Sequence, residues 1–382
     1  MTLHKTLFLV CGLLFNLTTY CKENLKILYV LDSFPKITET FIIESIAGML
    51  DRGHDVFIYA VRRSKEKTVQ SLIHEYNLFS RTYFEKLPSD LHSYDIVLCQ
   101  FGVLGCHFPV HLLSKSTKFI TCIRGSDITQ NAAKKRKKYE KLFRKGDLFL
   151  PVCEYFKQIL KNMGCPPHKI YVHGSSINCS AFPYQERQLK NTHKLKLISV
   201  GRLVPKKGRK TLIQAVALMK RKYQDVHLTI VGNGAQRETL AAYVKRLGLQ
   251  NHVTFIYTAT QGQVRSLLEQ SDIFVLTSQT APDGNEEGIP NACKEAMASG
   301  LPVIATDHAG TPELITHQKT GYLVSERSPR EVVEAVRWLI KNVDLLPQIT
   351  AEARKVSERY DRKRLAAELE TIFFDLLRRC DI

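Results

Sequence analysis

From Leu25 onward, short runs of apolar and β-branched residues alternate with longer stretches whose apolar positions fall at helical spacing. The runs at 25–31, 54–60, 94–100, 118–123 and 147–152 read as strands, with helices between them, for example over 38–52 and 155–163. A second series of runs lies at 195–200, 226–232, 252–257, 272–277 and 302–306. Strands separated by helix-length stretches pair in parallel, so the pattern predicts an α/β chain of two doubly wound domains. The polar, strand-poor stretch 180–194 is the join. After Tyr322-Leu323-Val324 only helical patterns follow, at 329–342 and 346–379, and the last is placed to pack back on the first domain. The expected plan is an apolar tail over 1–24, an N-terminal domain over 25–190, a C-terminal domain over 191–345 and closing helices over 346–382. Ligands of such folds bind at the carboxyl ends of the strands, at switch points, so two facing domains define one cleft.

A chain of 382 residues with 44% hydrophobic content has room for two or three domains and is not disordered. Its net charge of +18 speaks to partners rather than to fold. No zinc-finger, RRM or KH signature accompanies the charge, so nucleic acid is not an expected partner. An anionic membrane surface is. The densest basic run, AKKRKKYEKLFRK over 133–145, sets Tyr139, Leu142 and Phe143 on a helical face that suits anionic lipid, although a solvated helix face has the same spacing. The start of the chain has an apolar stretch over 7–17, too short to span a bilayer. It reads as a membrane-associating tail, a weak signal peptide or an extension from an upstream start codon. The ten cysteines include no Cys-x-x-Cys pair and no histidine at ligand spacing, which points to buried free thiols in a reducing compartment, with neither disulfides nor a metal site.

The chemistry concentrates in EEGIPNACKEAMASGLPVIAT, which begins at Glu286. Gly288-Ile289-Pro290 leads into a helix opening at Asn291, whose N-terminus is a site for phosphate. Glu287 stands in the loop ahead of that helix and Glu295 about one turn inside it, so one carboxylate can hold sugar hydroxyls and the other ribose hydroxyls. Taken alone, each is an ordinary loop acid or first-turn glutamate. After the run at 195–200 come Gly201, Arg202, Lys206, Lys207 and Gly208, where Arg202 as a fork and Lys207 as a point charge suit a diphosphate. Gly232-Asn233-Gly234 ends the next run as a tight turn able to approach the nucleotide. Arg237 occupies the third glycine position of a dinucleotide fingerprint, which argues against a dehydrogenase. In the N-terminal domain, Arg124-Gly125-Ser126-Asp127 follows the run at 118–123. There Asp127 is either a helix N-cap or a group that orients Arg124 and an acceptor.

With these motifs the chain resembles the retaining glycosyltransferases of family four, of GT-B fold, from Leu25 to about residue 340. FPKITETF, RGSD, LFRKGDLFLPVCEYF and TAPDGNEEGIP resemble the group that builds bacterial exopolysaccharide, such as colanic acid. The resemblance implies two facing Rossmann-like domains and transfer of a hexose from a nucleotide sugar, leaning to UDP-hexose. The acceptor would be a lipid-linked or growing surface polysaccharide or lipopolysaccharide at the cytoplasmic face of the inner membrane. Arg202 and Lys207 would grip the diphosphate, Glu295 the ribose and Glu287 the transferred sugar, with N–H groups from Gly288, Ile289 and Asn291 around Pro290. No cofactor and no metal is implied, and the chain offers no Asp-x-Asp pair. DSFPKITETF stands where many members have a glycine-rich loop, and Arg124 where many have histidine. A catalytically inactive carbohydrate- or nucleotide-binding protein of the same fold is the other reading.

Overall fold

The computed structural model describes residues 23–379 except 67, 188, 190–193, 222 and 224. Most of the apolar tail, with Cys11 and Cys21, and Cys380 lie outside the described residues. The first half runs β1 (Lys26–Phe34), α1 (Thr40–Asp51), β2 (Asp55–Arg63), α2 (Ser71–Glu75), β3 (Thr82–Phe84), β4 (Ile96–Cys99), α3 (Gly102–His107), β5 (Lys118–Ile123), α4 (Ala132–Lys145), β6 (Leu148–Pro151) and α5 (Glu154–Asn162). The second runs β7 (Lys196–Val200), α6 (Arg209–Met219), β8 (His227–Val231), α7 (Arg237–Arg246), β9 (Val253–Ile256), α8 (Gln261–Glu269), β10 (Ile273–Leu276), α9 (Asn291–Ala298), β11 (Val303–Thr306), α10 (Thr311–Leu314) and β12 (Tyr322–Val324). The helices α11 (Pro329–Lys341), α12 (Leu346–Glu358) and α13 (Arg362–Arg378) close the chain.

Each half forms a six-stranded parallel sheet, in the orders β3-β2-β1-β4-β5-β6 and β12-β11-β10-β7-β8-β9. Read from opposite edges, these are the same doubly wound order, with switch points between β1 and β4 and between β7 and β10. The strands β4, β5, β10 and β11 inside the sheets, and the edge strand β6, are buried at every position, as sheets covered by helices on both faces require. The strand runs read from the sequence are all present. The edge strand β3 was not legible, because three residues are too few to show a period.

Two expectations need correction. The pattern over 346–379 is not one helix: the chain leaves α12 at Arg359 and enters α13 at Arg362. The break is held from outside, where the Ile177 N–H donates to Tyr360 O at 3.0 Å and its carbonyl accepts from Arg362 N–H at 2.8 Å. The Asp361 carboxylate then caps α13 by accepting from Lys363 N–H at 2.9 Å. The packing-back itself is observed, since Leu369 and Phe373 of α13 join the core of the first sheet beneath α1. Second, Tyr139, Leu142 and Phe143 of α4 are not available to lipid. They are buried in the N-terminal core, with the Tyr139 hydroxyl donating to Asp127 O at 2.8 Å. What α4 leaves outside is mainly cationic: Lys134, Arg136, Lys137, Lys138, Lys141 and Arg144 are exposed, with the one acid Glu140, 3.7 Å from Arg136. Among the described residues no helix is long and apolar enough to cross a membrane.

Candidate functional site

A cleft of about 1060 Å³ lies between the carboxyl ends of the two sheets and takes its walls from both halves. On the C-terminal side, β7 ends at Val200 and the chain turns through Gly201 and Pro205–Lys207 into α6. Gly208 makes that turn at φ +59°, pressed so close to Thr277 that a Cβ would lie 1.7 Å from its carbonyl oxygen. The turn buries Lys206 and Lys207 and leaves Arg202 exposed on the cleft wall. Across the switch point, the loop after β10 brings in Glu287. Its Oε2 stands 2.8 Å from Lys207 Nζ and 3.6 Å from Lys206 Nζ but carries no aligned hydrogen bond. Burial alone would raise the Glu287 carboxyl, but Lys206, Lys207 and Arg202 outweigh it and hold it down at about 2. Burial pushes Lys207 below its ordinary value, against the pull of Glu287. The Glu287 N–H donates to His308 Nε2 at 3.1 Å, and Glu326 holds the other ring nitrogen, His308 Nδ1, at 2.5 Å. Beneath the cluster, Arg209 is fully buried with Nη2 donating to Gly201 O at 3.2 Å, and burial lowers it to about 10.

Behind Glu287, the first turn of α9 faces the cleft at Asn291 and Ala292, and no side chain caps it. Gly288 and Ile289 line the cleft, and Pro290 is buried beside them. Glu295 also lines it, 9% exposed, and burial followed by the charge of Glu44 raises its carboxyl to about 7. The two carboxylates thus differ as their neighbours do: Glu287 is ionised among cations, and Glu295 shares no ion pair among the described residues. The turn Gly232-Asn233-Gly234 lies on the same wall. Gly232, at φ +132°, passes so near β7 that a Cβ would meet Gly201 O at 2.3 Å, so no larger residue fits there. Arg237 stacks on Tyr257, 3.8 Å from the ring centroid, at the position where a dinucleotide fingerprint has its third glycine.

The N-terminal wall is built by Ile37, Thr38, Thr40 and Phe41 after β1, by Glu66 and Gln70, and by Arg124 after β5. The Arg124 guanidinium lies 4.5 Å over the Phe41 ring. Asp127 does not reach this wall. It is 3% exposed, and its carboxylate accepts N–H bonds from Gly102 at 2.9 Å, Arg124 at 3.1 Å and Gly125 at 2.7 Å. The expectation for Asp127 is corrected in part: it orients the backbone that carries Arg124, and the first amide of α3, but it does not line the cleft where an acceptor or a catalytic group would stand. It does not cap the following helix either, since the N-cap of α4 is Asn131.

Several residues of the site were not singled out from the sequence. Lys206 adjoins Lys207 in every reading, yet nothing in the spacing shows that both ammonium groups turn toward Glu287. His308 and Glu326 come from segments remote in sequence and carry no motif. The same holds for contacts that join the two halves. Tyr155 Oη donates to Glu286 at 2.9 Å, the Glu286 N–H donates to Thr129 Oγ1 at 3.0 Å, and the Glu313 carboxylate accepts from Glu154 N–H and Tyr155 N–H, both at 2.8 Å. The loop that carries Glu287 is thereby held against the N-terminal half. An arrangement with ionised Glu287, exposed Arg202, clustered lysines and a free helix N-terminus suits a polyhydroxylated ligand with an anionic diphosphate.

The family model for glycosyl transferases group 1 matches residues 182–356. The chain carries a glycosyltransferase group 1 domain. The chain is similar along most of its length to the putative colanic acid biosynthesis glycosyltransferase WcaL of Salmonella typhimurium, 27% identical over 91% of this chain and 100% of that one. It is likewise similar to the amylovoran biosynthesis glycosyltransferase AmsK of Erwinia amylovora, 28% identical over 91% of this chain and 100% of that one. Among solved structures, Anabaena Alr3699/HepE in complex with UDP matches with a TM-score of 0.74 at 18% identity, covering 92% of this chain and 100% of that one. Sucrose-phosphate synthase of Thermosynechococcus elongatus matches with a TM-score of 0.74 at 14% identity, covering 92% and 99%. At such identities the likeness is one of fold, and that fold is GT-B. The seven described cysteines are free thiols, six of them buried, as expected from the sequence.

Proposed function

We propose that this glycosyltransferase moves a hexose, with retention, from a nucleoside-diphosphate sugar to a lipid-linked or growing surface glycan in exopolysaccharide assembly. The observation that carries the reading is Glu287, held ionised by Lys206 and Lys207 beside the uncapped start of α9. Arg202, Lys207 and the first amides of α9 take the diphosphate and stabilise the charge that grows on it as the glycosidic bond breaks. Glu287 accepts hydroxyls of the transferred sugar and fixes its orientation, and Glu295 accepts ribose hydroxyls. The acceptor hydroxyl attacks from the face the diphosphate leaves, and a diphosphate oxygen takes its proton. The protein supplies positioning and charge and forms no covalent intermediate. UDP is the favoured nucleotide, since HepE was crystallised with UDP and with UDP and glucose.

The acceptor side supports placement at the inner face of the cytoplasmic membrane. The exposed cations of α4 fit an anionic lipid surface by charge alone, with no apolar insertion. Replacing Lys134, Lys137, Lys138 and Lys141 by Gln is expected to abolish sedimentation with anionic vesicles at low salt, and undiminished sedimentation contradicts that placement. The transfer itself is tested by offering UDP-, GDP- and ADP-hexoses with membrane glycolipid and reading the anomeric configuration of the product by NMR. The reading expects one donor to be used, with retained configuration and unchanged rate in EDTA. An inverted product, or activity lost in EDTA and restored by a divalent ion, contradicts it.

A further inference from the structure

Arg124 is a well-held cation without a counter-ion. Its Nε donates to Gln100 O at 3.1 Å, Nη2 to Gln100 Oε1 at 2.5 Å and Nη1 to Ser175 Oγ at 2.8 Å, while Phe41 backs the guanidinium plane. All three acceptors are neutral. A guanidinium has five N–H groups, so these bonds leave one on each terminal nitrogen; the adjacent Cys122 thiol is only a weak acceptor. Among the described residues no carboxylate forms an ion pair with Arg124. The acids of this wall are otherwise engaged: Glu39 pairs with Lys36 at 3.2 Å, and Glu66 accepts the Ile37 N–H at 2.6 Å.

A second basic group with no ion pair among the described residues stands behind the first. Lys294 of α9 is fully buried, and its Nζ donates to Ser175 O at 2.7 Å and Asn291 Oδ1 at 3.0 Å and lies 4.2 Å from the Tyr360 ring centroid. Burial, and next the charge of Arg124, lowers its ammonium to about 7. Two basic side chains, one from each half of the molecule, thus meet on Ser175, and only Arg124 lines the cleft. The donor diphosphate has its own cations on the opposite wall at Arg202 and Lys207. A guanidinium with an N–H to spare on each terminal nitrogen, beside a second basic group, suits a carboxylate.

The geometry points to an anion subsite at Arg124 on the acceptor side of the cleft, one that recognises a carboxylate-bearing sugar on the acceptor glycan. This deepens the proposed transfer and rests on it, because it takes the opposite wall to hold the donor. The test uses the full chain saturated with UDP and titrates para-nitrophenyl β-D-glucuronide and the matching β-D-glucoside, which differ only in the carboxylate. The glucuronide is expected to bind at least about tenfold tighter, the scale of one charged hydrogen-bonded contact. Arg124→Gln should erase that ratio and Arg124→Lys should restore only part of it, since an ammonium lacks the fork. Retained UDP binding shows that each variant is folded. Equal affinity of the wild type for the two glycosides, no binding of either, or a ratio that survives Arg124→Gln overturns the subsite. A variant that weakens UDP about tenfold overturns it in another way, by assigning Arg124 to the donor phosphate. Failure of the wild type to bind UDP at all strikes the donor reading instead.

Discussion

Glu287 and Glu295 stand eight positions apart and are pushed in opposite directions because their neighbours differ. The lowered carboxyl of Glu287 contributes stability that is fully present above its ordinary 4.5 and is lost as pH falls toward about 2. The raised carboxyl of Glu295 acts with the other sign. Between its ordinary 4.5 and about 7 the folded protein binds more protons than the unfolded chain, so this group lowers stability as pH rises through that window. Glu295→Gln is therefore expected to raise the urea midpoint at pH 8 relative to wild type and to leave it nearly unchanged at pH 4; equal shifts at both contradict the assignment. Glu287→Gln is expected to cost about 3–5 kcal/mol, because Lys206 and Lys207 then lose their counter-charge in a buried place. Arg202→Ala, at an exposed position, is expected to leave stability unchanged and to lower kcat by about 10²–10³. The sequence placed these residues in one site because glycine-flanked turns and a helix start mark them. It could not show that Lys206 shares the pair, or that Asp127 turns away into backbone amides, because both depend on how loops from distant segments meet.

The elements that form the cleft were legible wherever the apolar period was long enough to decide between strand and helix, as in β1, β5 and β7. The break between α12 and α13 was not. Glu358 to Lys363 holds neither glycine nor proline, and the interruption comes from Ile177 of the other half pairing with the chain at Tyr360 and Arg362. The face of α4 was misassigned for a related reason: helical spacing identifies an apolar side but not what covers it. The contact of α13 with α1 yields a prediction of its own. A Cβ on Gly48 would lie 2.8 Å from the Ala366 Cβ, so Gly48→Val should push α13 off the first sheet and cost on the order of 1–3 kcal/mol by overpacking. Denaturant midpoints check this, and an unchanged midpoint contradicts the packing.

Across the whole molecule, function depends on two similar sheets presenting different walls to one cleft. The C-terminal wall concentrates cations around Glu287, and the N-terminal wall offers Arg124, hydrogen-bonded only to neutral acceptors among the described residues. The Tyr155 hydroxyl on Glu286 and the Glu313 carboxylate on the first amides of α5 tie one wall to the other. Tyr155→Phe removes a bond to the residue next to Glu287 without emptying space, so it is expected to lower kcat several-fold while leaving UDP affinity within about twofold. Equal losses in both would mean that the hydroxyl serves only stability. The central claim is that the cluster of Arg202, Lys207 and Glu287 holds the diphosphate of a nucleotide sugar. Calorimetric titration of the full chain with UDP, GDP and ADP, beside Arg202→Ala, tests it most directly. The account predicts that one nucleotide binds, UDP first among them, and that Arg202→Ala weakens it at least about tenfold. Failure of all three to bind the folded wild type, or undiminished binding by Arg202→Ala, would contradict it.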